Sequence, residues 1–251
     1  MRASRAATGG VAPLAESPLT GPPEGLPTGQ AKVRAVRAMF DAIAPRYDLV
    51  NRIMTFGLDV RWRRRAVREL GLRPGSVVVD VAAGTGDLSR ELAAAGHRPL
   101  AVDLSSGMLA HARTTAPLVQ ADALRLPLPP AVADGATCGF ALRNLADLPA
   151  FFRELARVVR PGGRIALIEV DTPTSPVLRA GHTVYFGRVV PLIGGWLSDR
   201  AAYRYLPRSV AYLPPAATLL DQIAAPGFTA VERRALSGGI CQLVTATRGE
   251  P

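Results

Sequence analysis

Apolar residues along the chain change their spacing near residue 75. Before it they recur at helical intervals: Val36, Met39, Phe40 and Ile43 share one face up to Pro45, and Val60 to Leu70 reads as an Arg-rich amphipathic helix. After it come short continuous apolar runs. SVVVDVA (Ser76 to Ala82), RPLAVDL (Arg98 to Leu104), LVQAD (Leu118 to Asp122), GATCGF (Gly135 to Phe140) and GRIALIEV (Gly163 to Val170) predict buried strands. Between them, Asp87 to Ala95 predicts a helix ending at Gly96. Ser105 to Thr114 predicts one capped by Ser105, and Leu148 to Val159 one stopped by Arg160-Pro161-Gly162-Gly163. Strand, helix, strand in this order implies a parallel sheet with helices on both faces, a doubly wound α/β fold. Past Val170 a helical, apolar-rich insertion, Pro176 to Leu206, interrupts the rhythm. A helix from Ala216 to Ala225 and two strands, FTAVERRAL and ICQLVTAT, restore it.

Residues 1–30 are rich in Pro, Gly, Ala and Ser without periodicity and are expected to form a disordered tail, because they offer too little apolar surface to offset ordering entropy. Residues 31–251 then make a single domain, with 31–70 as an N-terminal helical cover and 171–214 as a helical insertion. The net charge of +10 comes from 30 basic residues, of which Lys32 is the only lysine. The arginines are spread along the chain, so the charge reads as compositional bias and predicts no nucleic-acid partner. Cys138 and Cys241 both sit in apolar runs, as buried free thiols of a reducing, cytoplasmic protein would. No run reaches the roughly 18 apolar residues of a membrane span.

The chemistry concentrates at the ends of the first three strands. Gly84 and Gly86, in Ala82-Ala83-Gly84-Thr85-Gly86-Asp87, allow a tight turn and close approach to a ligand. A dinucleotide fingerprint would need a third glycine where Ser89 stands, and Asp80 and Asp87 oppose a pyrophosphate. Acidic surroundings suit the sulfonium and ammonium of S-adenosyl-L-methionine instead. Asp103, ending the second strand, is placed to accept both ribose hydroxyls, and Asp122 with Ala123 to reach the adenine edge. His97, His111 and His182 lack metal-ligand spacing, so no metal is expected.

Further segments carry a resemblance. MFDAIAPRYDLVNRIMTFGLDVRWRR (Met39 to Arg64), VVDVAAGTGDLS, VDLSSGMLAHA, FALRNLAD (Phe140 to Asp147), RVVRPGGRIALIE, YLPRSVAYLP (Tyr205 to Pro214) and a late Ser237-Gly238-Gly239 together resemble the menaquinone and ubiquinone biosynthesis C-methyltransferases, over nearly everything from Met39 onward. The resemblance implies a class I S-adenosylmethionine-dependent methyltransferase, Rossmann-like, with a mostly parallel seven-stranded sheet. It implies donor contacts at Thr85, Asp103, Asp122 and Ala123, and methyl transfer to a ring carbon of a polyprenyl quinol, demethylmenaquinol. Ala83 departs from a frequent Thr or Cys. Gly139 stands where some relatives carry a donor-contacting Ser, so no contact is carried to it.

A quinone ring is electron-poor, so the acceptor for carbon methylation is expected to be the reduced quinol. Arg143 and Asn144 are the candidates for its oxygen, Arg143 as an electrostatic stabiliser of the developing phenolate, with a surface salt bridge as its alternative role. Tyr47, Asp48 and Asn51 are expected on the acceptor side, opposite Tyr203 and Tyr205. Thr183 to Leu197 is apolar enough to wall a tunnel for the isoprenoid tail or to rest on a membrane, and Arg61, Arg63, Arg64 and Arg65 either meet anionic headgroups or form a solvated helix face. Three other readings stay open at this point: a same-fold methyltransferase of soluble aromatic compounds, an NAD-dependent oxidoreductase, which Ser89 and Asp87 disfavour, and a non-catalytic donor-binding subunit.

Overall fold

The computed structural model describes residues 27–173, 175–185, 188, 205 and 209–250. Seven strands form one sheet: β1 Val77–Val81, β2 Arg98–Asp103, β3 Leu118–Gln120, β4 Ala133–Gly139, β5 Val159–Val170, β6 Phe228–Leu236 and β7 Cys241–Arg248, in the order β3-β2-β1-β4-β5-β7-β6. The first five pair in parallel; β7 runs antiparallel between β5 and β6. Strand order reverses between β1 and β4, so the crevice beyond their carboxyl ends is where a doubly wound sheet binds its ligand.

The central strands read as unbroken apolar runs because helices cover both faces. On one side Phe151, Phe152 and Leu155 of α6 (Leu148–Val158) and Leu219 and Ile223 of α8 (Ala216–Ala224) pack onto Val79, Val81, Ile165 and Val244. On the other, Trp62, Ala66 and Leu70 of α3 (Leu58–Leu70) and Leu88 and Leu92 of α4 (Asp87–Ala94) cover Val78, Ala166, Ile168 and Leu243. α5 (Ser106–Ala110) is capped by Ser105, whose side chain accepts from the Met108 amide, as expected, but is shorter than its sequence pattern. Both cysteines are buried and free.

Two helices precede α3: α1 (Gly29–Ile43) and α2 (Tyr47–Met54). The second lies in the stretch after Pro45, where the periodicity pattern stops. The other departure concerns Arg160 to Gly163, expected as a turn. The chain passes straight from α6 into β5 at Val159, which pairs with Ala133, and the register shifts between Ala133 and Gly135. Gly162 takes a φ of 73°, and a Cβ on Gly163 would meet the Asp134 carbonyl at 2.7 Å. The two glycines therefore act as a bulge inside a strand rather than as its boundary. Beyond β5, α7 (Pro176–Val184) begins the insertion, with Pro176 at its first turn. Among the described residues, no helix is long and apolar enough to cross a membrane.

Candidate active site

Immediately after β1 and β4 the backbone turns left-handed at non-glycine residues, Ala82 with φ 56° and Phe140 with φ 59°. Such conformations cost about 1–3 kcal/mol each and persist where surrounding structure holds them. Here the Ala83 amide bonds to the Val102 carbonyl at 3.0 Å and the Phe140 amide to the Ile168 carbonyl at 2.8 Å. Both residues line a cavity beyond the strand ends that encloses about 810 Å³ of atom-free space, mouth included.

Of the residues expected at the donor, Gly84, Asp103, Asp122 and Ala123 line this cavity. Asp103 accepts from the Gly84 amide at 2.7 Å through one carboxylate oxygen and from the Ser105 amide at 2.8 Å through the other. This fixes the orientation of the carboxylate and leaves a lone pair free on each oxygen. Burial holds its pKa above the ordinary carboxylate range against these bonds. A Cβ at Gly84 would meet nothing within 4 Å, so its backbone faces open cavity. Asp122 accepts from the Leu124 amide at 2.9 Å, closing the loop after β3.

Asp80, Thr85 and Gly86 are placed differently: they build the loop and are not among the residues that line the cavity. Asp80 is 1% exposed, and its carboxylate accepts from Ser89 Oγ at 2.6 Å and Thr137 Oγ1 at 3.0 Å. The Thr85 hydroxyl bonds to Asp48, and Gly86, at φ 83°, leaves so little room that a Cβ would meet Thr114 Cγ2 at 2.7 Å. Burial raises the Asp80 pKa to about 6, partly opposed by its two hydroxyl donors. The unfolded value is the lower one, so the ionised form costs stability, and that cost grows as pH rises from about 4 through 6. Asp80→Asn should therefore melt higher than the native protein at pH 8, with the difference shrinking at pH 5; thermal unfolding at both pH values checks this.

Arg143 and Asn144 sit in a 3-10 turn, Leu142–Asn144, and face different spaces. Asn144 lines this first cavity and is 7% exposed; its Nδ2 has no partner among the described residues, and its Oδ1 accepts from Tyr205 Oη at 3.3 Å. Arg143 lines a second cavity of about 1380 Å³, mouth included. Its guanidinium is 6% exposed, ion-paired with the buried Glu169, and donates through Nε to Ser209 Oγ at 3.1 Å and through Nη1 to the Phe140 carbonyl at 3.0 Å. A salt bridge was one of two roles expected for Arg143; it exists, but it is interior.

The second cavity is walled by Met54, Phe56, Leu58, Trp62, Val177 and Leu178, among others, with Asn51, Thr55, Asp59, Arg63, Arg143 and His182 as polar points. Tyr47 and Phe140 line both cavities and so form the partition between them. Burial pushes the Tyr47 hydroxyl above its ordinary pKa, offset in part by a hydrogen bond with Asn51. Tyr205 does not line either cavity; it stands behind Asn144, its pKa pushed up to about 12 by burial, so it remains a donor. Tyr203 and most of Thr183 to Leu197 lie outside the described residues.

One basic group is corrected. Arg63 is 6% exposed and paired with Asp59 and Asp87, with its guanidinium 5.3 Å from the Phe140 ring centroid, so it cannot meet headgroups; Arg64 pairs with Glu91 and Arg65 with Glu69. Residues to which sequence reasoning carried no contact or role also matter. Gly139 lines the donor cavity, Asp41 accepts from Ser105 Oγ at 2.5 Å and from the Gly107 amide at 2.9 Å, and Glu169 holds Arg143. Glu169 was signalled by its place, a lone acid in the apolar run IALIEV.

The family model described as the ubiE/COQ5 methyltransferase family matches residues 28–248. The chain is 42% identical over 226 residues to the ubiquinone/menaquinone biosynthesis C-methyltransferase UbiE of Syntrophotalea carbinolica, covering 86% of this chain and 94% of that one. It is 41% identical to the demethylmenaquinone methyltransferase of Corynebacterium kroppenstedtii, covering 88% and 97%. Among solved structures it is similar in fold to phosphoethanolamine N-methyltransferase 2 of Haemonchus contortus in complex with S-adenosyl-L-methionine (TM-score 0.56, 15% identity, 76% and 53% covered). A second is a SAM-dependent methyltransferase from Aquifex aeolicus (TM-score 0.53, 18% identity, 74% and 89% covered).

Proposed function

The chain belongs to the ubiE/COQ5 methyltransferase family, and from that premise we propose that it transfers a methyl group from S-adenosyl-L-methionine to a ring carbon of demethylmenaquinol, giving menaquinol. The observation that carries the reading is the pair of cavities meeting at Tyr47 and Phe140: one ringed by carboxylates and backbone at the strand ends, the other larger and walled by apolar side chains.

The first cavity suits the donor. Asp103 would accept the ribose hydroxyls, Asp122 and Ala123 would meet the adenine edge, and the open backbone at Gly84 leaves room for the methionine portion. Bound there, S-adenosyl-L-methionine supplies an electrophilic methyl group on a sulfonium. The second cavity would take the quinol ring, with its prenyl chain along Val177, Leu178 and Phe56. Arg143 stabilises negative charge growing on the ring oxygen as its proton leaves to water. Because Glu169 already neutralises the guanidinium, the site favours a neutral quinol on entry and a phenolate only as it forms. Asn144, through its unpartnered Nδ2, would hold a reactant oxygen at the junction. Tyr47 and Phe140 align the reactants and exclude water, and alignment alone can contribute about 7–11 kcal/mol.

We also propose that the acceptor reaches the site from a membrane. Exposed Phe56 and Val177 line the second cavity, Leu49 and Ile53 of α2 and Val184 of α7 are further exposed apolar residues of the same elements, and the Phe56 and Tyr185 rings lie 5.7 Å apart.

The test is an assay of the purified enzyme with reduced demethylmenaquinone in anionic vesicles, with the oxidised quinone and with small soluble phenols. A mass gain of one methyl on the reduced quinone alone supports the reading. Product only from soluble phenols, or none with donor bound, rejects it.

A further inference from the structure

Among 30 basic residues Lys32 is the one lysine. It lies in the first turn of α1, 5% exposed. Its ammonium donates to the Leu145 carbonyl at 2.8 Å and sits 3.6 Å from the centroid of the Tyr212 ring. Tyr212 in turn donates to the Pro27 carbonyl at 2.6 Å, ahead of α1. One charged group thus joins the cover helix to the segment after Asn144 and to a residue late in the acceptor-side insertion.

The burial pattern of α1 shows what this joint holds. Only Lys32 and Ile43, near its two ends, are buried. Between them Val33, Val36 and Phe40 are half-buried, and with Arg37 they form one wall of the donor cavity. The far end is pinned independently, by Asp41 accepting from Ser105 Oγ and the Gly107 amide. A helix fastened at both ends, with its middle against a cavity, has the form of a lid.

We propose that Lys32 is a positioning residue, the latch that holds α1 closed over the donor cavity, so that donor entry and product exit require its release. The inference rests on the first cavity being the donor site and is independent of the acceptor. Leu145 itself lines that cavity, so the hydrogen bond to its carbonyl fixes a second wall at the same time. Burial lowers the Lys32 pKa to about 8, with no opposing carboxylate among its causes. The Tyr212 ring faces it, with Tyr205 coupled electrostatically to Tyr212; by place in the chain, Arg34 and Arg37 share its helix, and Arg143 and Asp147 stand two residues either side of Leu145. Below about pH 8 the closed latch holds a buried ammonium; above it the neutral amine loses the cation–π contact but keeps the hydrogen bond to Leu145 and sheds the burial cost of the charge. The unfolded chain keeps the proton up to about 10.5, so between these values the fold itself gains stability with pH. An open latch returns Lys32 to water, so the same linkage holds the latch more firmly shut as pH rises between these values.

The test is stopped-flow release of S-adenosylhomocysteine from native protein and Lys32→Met between pH 7 and 9.5, with S-adenosylmethionine affinity by calorimetry. At pH 7, Lys32→Met should take up donor and release product about tenfold faster, with donor affinity changed less than either rate. The native rate should fall further as pH rises through about 8, while the variant's profile stays flat. Equal rates at pH 7, or a lower melting temperature with an unchanged pH profile, overturn the latch. Should the variant not fold, the native profile decides alone: a flat one overturns it. Donor binding that survives Asp103→Ala counts against the donor-site reading instead.

Discussion

Arg143→Met should abolish turnover and lower the stability of the fold by about 3–5 kcal/mol, because Glu169 would be left as a buried carboxylate without its counter-charge. Glu169 is 1% exposed and accepts from the Arg143 side chain, from the Arg143 amide at 3.2 Å and from the Val170 amide at 2.8 Å, so it cannot turn to water. The double variant Arg143→Met/Glu169→Gln separates the two effects. A neutral amide still accepts from the backbone, so most of the stability should return while turnover stays at least about 100-fold down. Denaturant unfolding and single-turnover methyl transfer read the two quantities. Turnover that recovers with stability would reduce Arg143 to a structural ion pair.

The second large effect is expected at the donor. Asp103→Ala should weaken S-adenosylmethionine binding by about 100-fold or more, since it removes two hydrogen bonds to a charged acceptor, each worth about 1.5–3 kcal/mol. Calorimetry with donor and product measures it, and affinity within a few-fold of native would remove Asp103 from the site. The native protein carries its own control in pH. The ionised carboxylate is the form that accepts two hydroxyls, and burial raises the Asp103 pKa above 3.8. Donor affinity should thus be full above that raised value and fall as pH drops through it, before exposed carboxylates titrate. The same shift means that ionised Asp103 costs the free protein stability, so Asp103→Ala should not melt lower for loss of charge.

Much of the donor half was legible along the chain. The strands were readable because both faces of the sheet are covered, leaving runs such as VVVDV and IALIEV without alternation. Gly84, Asp103, Asp122 and Ala123 were readable because strand ends in a doubly wound sheet converge on one crevice. Asp80 was misleading for the same reason: it lies one strand residue from the end, and on a pleated strand that turns its side chain inward to Ser89 and Thr137. The Gly162-Gly163 pair was read as a stop, although pairing with β4 made it a bulge.

The acceptor half was less legible. Arg143 and Glu169 are 26 residues apart and meet only because β4 and β5 pair in parallel, which carries Gly139 opposite Ile168. Tyr205 was expected to touch the substrate, yet it supports Asn144 from behind. Arg63 looked like part of a basic face until Asp59 and Asp87 enclosed it. By itself, then, the sequence determined the element order and which residues stand at the strand ends, since these depend on periodicity and turn chemistry within a few residues. Only the tertiary structure decided which charges pair, which helix closes the cavity and where the two cavities meet, because those contacts join positions tens of residues apart and exist only once strand register sets them side by side.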